Sequence, residues 1–284
     1  MRFFGTKEIK EHVNRVLANL PAASKGARAI DFPAGNGVTS ECLHSLGAEV
    51  LAIDLFPELF RFKLAKIIRG DLSLEFPVSS ESFDLAVCQE GIEHVGNQDH
   101  VLREFARVLK PGGTLLLTTP NYSNLKSKLS YLLCESEAFG RIMPPNEFET
   151  IWLSPGSEGA GPNQPPTPPR VYFGHCFLTG FFRLRLFAQL AGFELKEIHD
   201  SRVNSTSLLL FPLLYPLICL SAWKTARRFK RKTKQAALAK ELFHWMVRPK
   251  LLLENHLILE FQRKAELSDL QNRGQKVDIG SFQT

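Results

Sequence analysis

The chain of 284 residues is long enough to bury one sizeable core with an insertion, and its 44% hydrophobic and 23% charged residues are typical of a globular protein. Its five cysteines are never spaced as C-x-x-C, which argues against a disulfide framework and against a structural zinc site. The net charge of +6 is local, because residues 224–234 hold seven Lys or Arg and no acid while the other residues nearly balance.

The first segment, MRFFGTKEIKEHVNRVL, lacks the apolar stretch and the small-residue cleavage site of a secretory signal. The spacing of its apolar residues predicts a short amphipathic helix instead. Together with the scattered cysteines, this segment predicts cytoplasmic synthesis and residence.

Short β-rich runs then alternate with helix-like stretches. The predicted strands are Ala29–Asp31, Glu49–Asp54, Ile67–Asp71, Phe83–Cys88 and Thr114–Thr119. Runs that are apolar on both faces and separated by helices predict a parallel sheet covered by helices on both sides, which is a Rossmann-like α/β fold. Ligands of such sheets bind beyond the carboxyl ends of the strands.

The turn after the first strand is a candidate nucleotide-binding loop. Asp31 ends that strand, and Gly35 and Gly37 open the next helix, where backbone without side chains lets a ligand approach closely. A carboxylate at the end of the second strand, here Asp54, is placed to accept hydrogen bonds from ribose hydroxyls. Asp71, at the end of the third strand, is expected to face the adenine together with the residue that follows it.

The charge of this turn discriminates between cofactors. A dinucleotide rests its pyrophosphate on the helix N-terminus and normally needs a third glycine, but Ser40 stands at that position. Asp31 would repel a diphosphate and attract a sulfonium or an amino-acid ammonium. The sequence therefore predicts a cationic adenosyl cofactor.

Six motifs in order resemble those of the class I S-adenosylmethionine-dependent methyltransferases over about residues 28–200: IDFPAGNG, VLAID, GDL, FDLAVCQEGIEHV, VLKPGGTLLLTTPN and LFAQLAGFELKEI. Pro33 departs from the family pattern D-x-G-x-G-x-G at its first glycine. The resemblance implies S-adenosylmethionine as cofactor. It also implies a seven-stranded sheet whose last strand is antiparallel, for which His256–Phe261 is the candidate.

The same resemblance implies roles for individual residues. Asp31 and the loop backbone would hold the methionine part of the cofactor, and Asp54 would hold the ribose. The full set implied for the cofactor is Asp31, Gly35, Gly37, Asp54, Asp71, Leu72 and Gln89, with Asp71 and Leu72 at the adenine and Gln89 on the pocket floor.

The run CQEGIEHV follows the fourth strand and carries Glu90, Glu93 and His94. An oxygen acceptor must lose its proton during methyl transfer, so His94 or Glu90 is expected to act as general base. The run also resembles the metal-binding run of ubiquinone-pathway O-methyltransferases and of small-RNA 2′-O-methyltransferases, where a downstream histidine, here His175, completes the set. A third interpretation is that Glu93 and His94 only start a helix and complement its dipole.

The C-terminal half contains the features that bear on the acceptor. The TPN motif and the following basic helix resemble bacterial methyltransferases associated with cell-surface glycan and lipid-linked sugar assembly. Residues 154–169 hold nine Gly or Pro and predict a loop that is either a substrate lid or a tolerated insertion.

Residues 208–220, LLLFPLLYPLICL, precede the basic run. They are expected not to span a bilayer, because the stretch is short and Pro212 and Pro216 break its helix. One interpretation is that residues 208–234 lie on an anionic membrane surface, and another is that they form an apolar flap packed on the protein's own core. Nucleic acid is a third, weaker candidate partner.

These observations predict a methyltransferase core over residues 1–200, an apolar and basic insertion over 201–250, the final strand within 251–265 and a disordered tail over 266–284. The expected activity is O-methylation of a glycan, a small molecule or a lipid-linked saccharide, in the cytoplasm or at the inner face of the membrane. The alternatives are a metal-dependent RNA 2′-O-methyltransferase and a non-catalytic protein that binds the cofactor and docks to membrane.

Overall fold

The computed structural model describes residues 6–134, 151–153, 171–173 and 177–264. Its main sheet has seven strands: β1 (Arg28–Asp31), β2 (Glu49–Asp54), β3 (Lys66–Arg69), β4 (Phe83–Gln89), β5 (Leu109–Pro120), β8 (Phe193–His199) and β9 (His256–Arg263). Their order is β3-β2-β1-β4-β5-β9-β8. Strands β1 to β5 are parallel, and β9 runs antiparallel to both β5 and β8.

The expected seven-stranded, Rossmann-like sheet with an antiparallel last strand is thus confirmed. The third strand differs from the prediction, because it ends at Arg69 rather than at Asp71. Gly70 donates its N–H to the carbonyl of Asp54 and carries the chain away from the sheet. Asp71 therefore lies in the loop that follows β3. Strands β6 (Ile151–Leu153) and β7 (Val171–Phe173) form a separate antiparallel pair.

Eight α-helices occur within the described part of the chain: α1 (Thr6–Asn19), α2 (Val38–Ser45), α3 (Gln98–Val108), α4 (Leu125–Cys134), α5 (Phe181–Leu190), α6 (Ser205–Thr233), α7 (Ala236–Met246) and α8 (Pro249–Leu253). The amphipathic N-terminal helix expected from the sequence is α1, which buries Ile9, Val13 and Leu17 on one face of the sheet. The other face is covered by α3 and α5, which bury Phe105 and Phe181.

The insertion before the last strand is built from α6, α7 and α8. The prediction that Pro212 and Pro216 break its first helix is wrong, since α6 runs through both prolines for 29 residues. Each proline removes one backbone hydrogen bond, but the other bonds of this long helix remain. By length and composition α6 is long and apolar enough to cross a membrane.

The interpretation of residues 208–220 as a flap packed on the core is also wrong. Leu209, Leu213 and Leu217 are 78%, 70% and 61% exposed, because α6 contacts the rest of the protein only along its opposite side. Residues 154–169, His175 and the tail 266–284 lie outside the described residues, so the predictions made for them stay predictions.

Candidate functional site

A cavity of about 480 Å³ opens at the carboxyl ends of β1 to β4, where the loops after these strands converge. The parallel arrangement brings strand ends that are distant in sequence to one edge of the sheet. Seven of the residues predicted for the site line this cavity: Gly35, Asp54, Asp71, Leu72, Gln89, Glu90 and His94.

The loop after β1 forms one wall of the cavity. Gly35 and Gly37 have φ values of +53° and +92°, which favour glycine, and Gly37 begins α2. The N–H of Gly35 donates to Asp54 Oδ2 at 2.7 Å, and that of Gly37 donates to the carbonyl of Ala34 at 3.0 Å. These donors are used within the protein, whereas a diphosphate would need such donors for itself.

Pro33, which departs from the family pattern, lines the same wall after a cis Phe32–Pro33 peptide bond. Its ring lies against Gly91, where an added Cβ would come within 2.4 Å of Pro33 Cδ. The proline is therefore accommodated because residue 91 has no side chain.

Asp54 is held in position by two backbone donors. Its Oδ2 accepts from Gly35 and its Oδ1 accepts from the N–H of Phe56 at 2.8 Å. The side chain is nearly buried, but it lines the cavity. A carboxylate offers about four acceptor positions, so about two remain for hydroxyl groups of a ligand.

Part of the cavity lining is apolar. It includes Phe56, Leu59, Leu72 and Val95. Asp71 lines the cavity as well, and its Oδ1 accepts from the N–H and the hydroxyl of Ser73. Such a slot suits a flat heterocycle, with Asp71 available for its exocyclic amine.

Gln89 is fixed on the cavity floor by α2. The hydroxyl of Thr39 donates to Gln89 Oε1 at 2.7 Å, and both residues line the cavity. Gln89 thus lies in the cavity lining, and its predicted role toward the cofactor stays a prediction.

Asp31 and Gly37 do not line the cavity. Asp31 is 0% exposed and accepts a hydrogen bond from the hydroxyl of Ser40 at 2.6 Å. Burial raises the pKa of Asp31 to about 7, with the hydrogen bond from Ser40 opposing the rise. The sequence predicted that this carboxylate contacts a ligand directly. In the structure it is not exposed to the cavity, because α2 covers Asp31.

Lys10 lies in the cavity wall and was missed by sequence reasoning. Helix α1 brings it there, and its Nζ donates to Asn36 Oδ1 at 2.8 Å. Burial lowers the pKa of Lys10, and the charge of Asp31 opposes that change. The amphipathic pattern predicted the helix but gave no sign of which cavity its polar face would meet.

Glu90 adopts a left-handed backbone conformation with φ of +50°, which is unusual for a residue with a side chain. The hydroxyl of Thr118 donates to Glu90 Oε1 at 2.9 Å, and His256 Nε2 lies 3.7 Å from Glu90 Oε2. Burial raises the pKa of Glu90 to about 7. A carboxylate at the cavity wall is thus poised to take or give a proton near neutral pH.

Glu93 is fully buried behind Glu90 and accepts a hydrogen bond from the hydroxyl of Thr119 at 3.1 Å. Burial, and then the charge of Glu90, raise the pKa of Glu93 well above its ordinary value. Glu93 therefore favours its neutral form more strongly than an exposed glutamate does, and Glu90 is the carboxylate of the two that lines the cavity.

His256 is the second residue that sequence reasoning missed. It was predicted to start the last, antiparallel strand, and the first residue of such a strand lies beside the carboxyl ends of its parallel neighbours. Its pairing with Pro120 in the β5–β9 register places it at the same edge of the sheet, next to Glu90 but outside the cavity lining. The signal was present in the sequence, but the site was not inferred from it.

The metal set suggested by the run Glu90, Glu93 and His94 is not assembled in the described part of the chain. In that part, the three side chains whose possible metal-binding atoms lie within 4.8 Å of one another are Glu197, His199 and Glu260. These residues line a different depression, on β8 and β9. His175 lies outside the described residues.

The lining of the cavity is acidic overall, with three carboxylates, at Asp54, Asp71 and Glu90, and one lysine. Such a lining favours a nucleoside that carries positive charge over a diphosphate. The residues present therefore fit an adenosyl sulfonium compound.

A family model described as a methyltransferase domain matches residues 30–117. A ubiquinone biosynthesis O-methyltransferase of Xanthomonas campestris pv. campestris (strain B100) is 35% identical over 131 residues, which are 43% of this chain and 54% of that protein. One from Xanthomonas oryzae pv. oryzae (strain PXO99A) is 35% identical over 128 residues, 42% of this chain and 53% of that protein. The chain thus matches about half the length of these relatives.

Two solved structures share the fold. A chain of the complex between the Haloferax volcanii Trm112 methyltransferase activator and a methyltransferase has a TM-score of 0.50 at 15% identity, with 92% of this chain and 93% of that chain covered. A protein from Listeria monocytogenes, described as an S-adenosylmethionine-dependent methyltransferase, has a TM-score of 0.50 at 10% identity, with 90% and 98% covered.

The expected resemblance to class I S-adenosylmethionine-dependent methyltransferases is therefore confirmed, for the sequence over residues 30–117 and for the fold over most of the chain. The expected cofactor agrees with this assignment. The acceptor is not identified by these similarities.

Proposed function

We propose that the chain is an S-adenosylmethionine-dependent O-methyltransferase whose acceptor is a glycan or a lipid-linked saccharide. The observation that carries the proposal is the acidic cavity at the carboxyl ends of β1 to β4, with its internally bonded glycine loop and with Glu90 and His94 in its lining. The methyltransferase-domain match over residues 30–117 supports the activity.

In this proposal Asp54 holds the ribose, and Asp71 with Leu72 holds the adenine. Lys10 is well placed for the carboxylate of the methionine part, since it is the cation in the cavity lining. When bound, the cofactor supplies an electrophilic methyl group. The chain itself positions the two reactants in line and excludes water from them, which accounts for much of the rate in displacements of this kind.

The acceptor hydroxyl must give up its proton, and the proposed base is Glu90, with His94 in the same cavity lining. Thr118 fixes the Glu90 carboxylate, and His256 stands on its other side. A base with a pKa of about 7 is half ionised at neutral pH and still strong enough to accept a proton.

The acceptor class is proposed from two features. The Xanthomonas relatives are named as O-methyltransferases, which supports oxygen as the methylated atom. The apolar exposed helix α6 favours an acceptor attached to lipid, at the inner face of a membrane, reached by an enzyme that resides in the cytoplasm.

The test uses radiolabelled S-adenosylmethionine and, as acceptors, lipid, glycan and RNA fractions from cells that lack the protein. We expect label in the glycan or lipid fraction, unaffected by EDTA. Label confined to RNA and lost with EDTA would replace the proposal by a metal-dependent RNA methyltransferase. Cofactor binding without label in any fraction would indicate a non-catalytic binding protein.

The role of Glu90 is tested with Glu90→Gln and with His94→Gln in the same assay. We expect Glu90→Gln to lower turnover by about 10²–10⁴-fold, which is the usual contribution of a general base, while affinity for S-adenosylhomocysteine changes little. Unchanged turnover in Glu90→Gln, together with a large loss in His94→Gln, would assign the base to His94.

A further inference from the structure

The described part of the chain exposes an apolar ridge made by two adjoining helices, α4 and α6. Along α6 the ridge runs from Leu208 to Trp223, which is about 24 Å at 1.5 Å per residue. The exposed fractions of Leu213 and Leu217 are 70% and 61%, and those of Leu132 and Leu133 on α4 are 79% and 65%. A large exposed apolar surface of this kind marks a site that interacts with a membrane or with another protein.

The two helices of the ridge are joined through their polar sides. Ser207 and Ser130 are fully buried, and the hydroxyl of Ser207 accepts from the backbone N–H of Lys126 at 3.0 Å. The polar atoms therefore face the protein, while the leucines point outward. Helix α6 thus contacts the protein through its polar side, and this attachment leaves its leucines exposed.

The ridge continues directly into a basic segment of the same helix. Between Ser205 and Gln235 there is no acid, and the seven cations follow the leucines: Lys224, Arg227, Arg228, Lys230, Arg231, Lys232 and Lys234. Arg227 lies over the ring of Trp223, 5.3 Å from its centroid. An apolar stripe that ends in tryptophan and cations matches, in order, the acyl and headgroup layers of an anionic leaflet.

The attachment of α6 at its two ends decides how it can meet a bilayer. At its start, Asn204 donates its N–H to the carbonyl of Leu253, the last residue of α8. The segment between these residues therefore leaves the sheet edge and returns to it. If α6 crossed a bilayer, the chain would have to cross back within residues 234–248, fewer than the roughly 20 that one helical crossing needs.

Helix α7, which makes this return, is fixed to the protein. Glu241 pairs with Arg185 of α5, and the ring of Trp245 packs on Phe181 with centroids 5.3 Å apart. The C-terminal end of α6 thus stays on the same side as the sheet, although the length and composition of α6 alone would permit a crossing.

We infer that α4 and α6 dock the protein on the surface of an anionic membrane, with the leucine ridge in one leaflet and residues 224–234 at the phosphate headgroups. This inference deepens the proposed function by naming the surface at which the acceptor is met. It rests on that function only for its biological role, because membrane binding and cofactor binding are measured separately.

The experiment is flotation of the full chain with vesicles of phosphatidylcholine alone or with added phosphatidylglycerol. We expect binding to the anionic vesicles only. Leu213→Glu/Leu217→Glu should lower the partition coefficient at least about tenfold, because two carboxylates would enter the apolar layer. The matched control Leu64→Glu/Leu74→Glu changes leucines of 72% and 62% exposure beside β3, at the opposite edge of the sheet, and should bind like the unaltered protein.

The cationic part is tested by Arg227→Gln/Arg228→Gln against Arg61→Gln/Lys63→Gln. We expect the first pair to lower partition by roughly fivefold for each charge near the surface, with a weaker effect at high salt, and the second pair to have little effect. Titration with S-adenosylmethionine checks that every variant keeps its fold and its cofactor site.

Four results would overturn the inference: equal flotation of the Leu213/Leu217 variant and the unaltered protein, binding to neutral vesicles as strong as to anionic ones, retention in cell membranes after alkaline carbonate extraction, or a dimer that these substitutions dissociate. Retention would show a true crossing, and a dimer would show that a second copy covers the ridge. Loss of cofactor binding with flotation intact would count against the methyltransferase proposal and leave this inference standing.

Discussion

The substitution Asp54→Asn changes one oxygen of the side chain that joins the glycine loop to the proposed ribose position. Asp54 accepts from Gly35 at 2.7 Å and from Phe56 at 2.8 Å, so an amide nitrogen in place of either oxygen would face a backbone donor. One hydrogen bond to a charged group contributes about 1.5–3 kcal/mol. Losing the ribose bond should therefore cost about 1.5–3 kcal/mol in binding, which is roughly 10- to 100-fold in Kd, while losing the loop bond lowers the stability of the protein.

The assay is isothermal titration with S-adenosylhomocysteine, which is stable during the measurement. Asp99→Asn serves as the control, since Asp99 pairs with Arg103 within α3 and is not part of the cavity lining. Thermal unfolding shows whether each variant is folded. If folded Asp54→Asn bound the ligand within about threefold of the unaltered protein, Asp54 would not hold the ribose and the placement of the nucleoside would be wrong.

Three further substitutions test the loop, a buried acid and a buried ion pair. Gly91→Ala should lower both thermal stability and cofactor affinity, at a cost of about 1–3 kcal/mol, because its Cβ would meet Pro33 at 2.4 Å; an unchanged melting temperature would contradict this. Asp31 binds a proton in the native state up to a pH of about 7, since burial raises its pKa. Its contribution to stability is therefore fully present at acid pH and is lost as pH rises toward 7. In urea unfolding, the free energy of unfolding should thus fall less from pH 5 to pH 8 for Asp31→Asn than for the unaltered protein. An equal fall would refute the raised pKa of Asp31. Arg107→Ala leaves the mostly buried carboxylate of Glu104 without the guanidinium 2.7 Å away and should reduce the free energy of unfolding in urea by about 3 kcal/mol; a decrease in this free energy of less than about 1 kcal/mol would show that water solvates Glu104 in place of the guanidinium.

Much of the sheet was predictable from the sequence, because strands buried on both faces appear as short apolar runs. The acids at the ends of these runs followed, and Asp54 occupies the expected place. Asp31 was predicted to contact the ligand, because the sequence of a strand end does not reveal which helix covers it. Its burial under α2 depends on tertiary packing with Ser40.

The contributions of Lys10 and His256 could not be read from local patterns in the same way. Each comes from an element distant in sequence, α1 or β9. Only the fold brings Lys10 into the cavity lining and His256 beside Glu90. The error on α6 has a different origin. Proline lowers helix propensity locally, but a long helix held at both ends by tertiary contacts keeps its remaining hydrogen bonds through Pro212 and Pro216.

The central claim is that the acidic cavity beyond β1 to β4 selects a cationic adenosyl cofactor over a diphosphate. The most direct measurement is a pair of calorimetric titrations of the full chain, one with S-adenosylmethionine and one with NAD. The account predicts one-to-one binding of S-adenosylmethionine, weakened by Asp54→Asn, and no heat of binding with NAD. Binding of NAD by a protein that does not bind S-adenosylmethionine would contradict it.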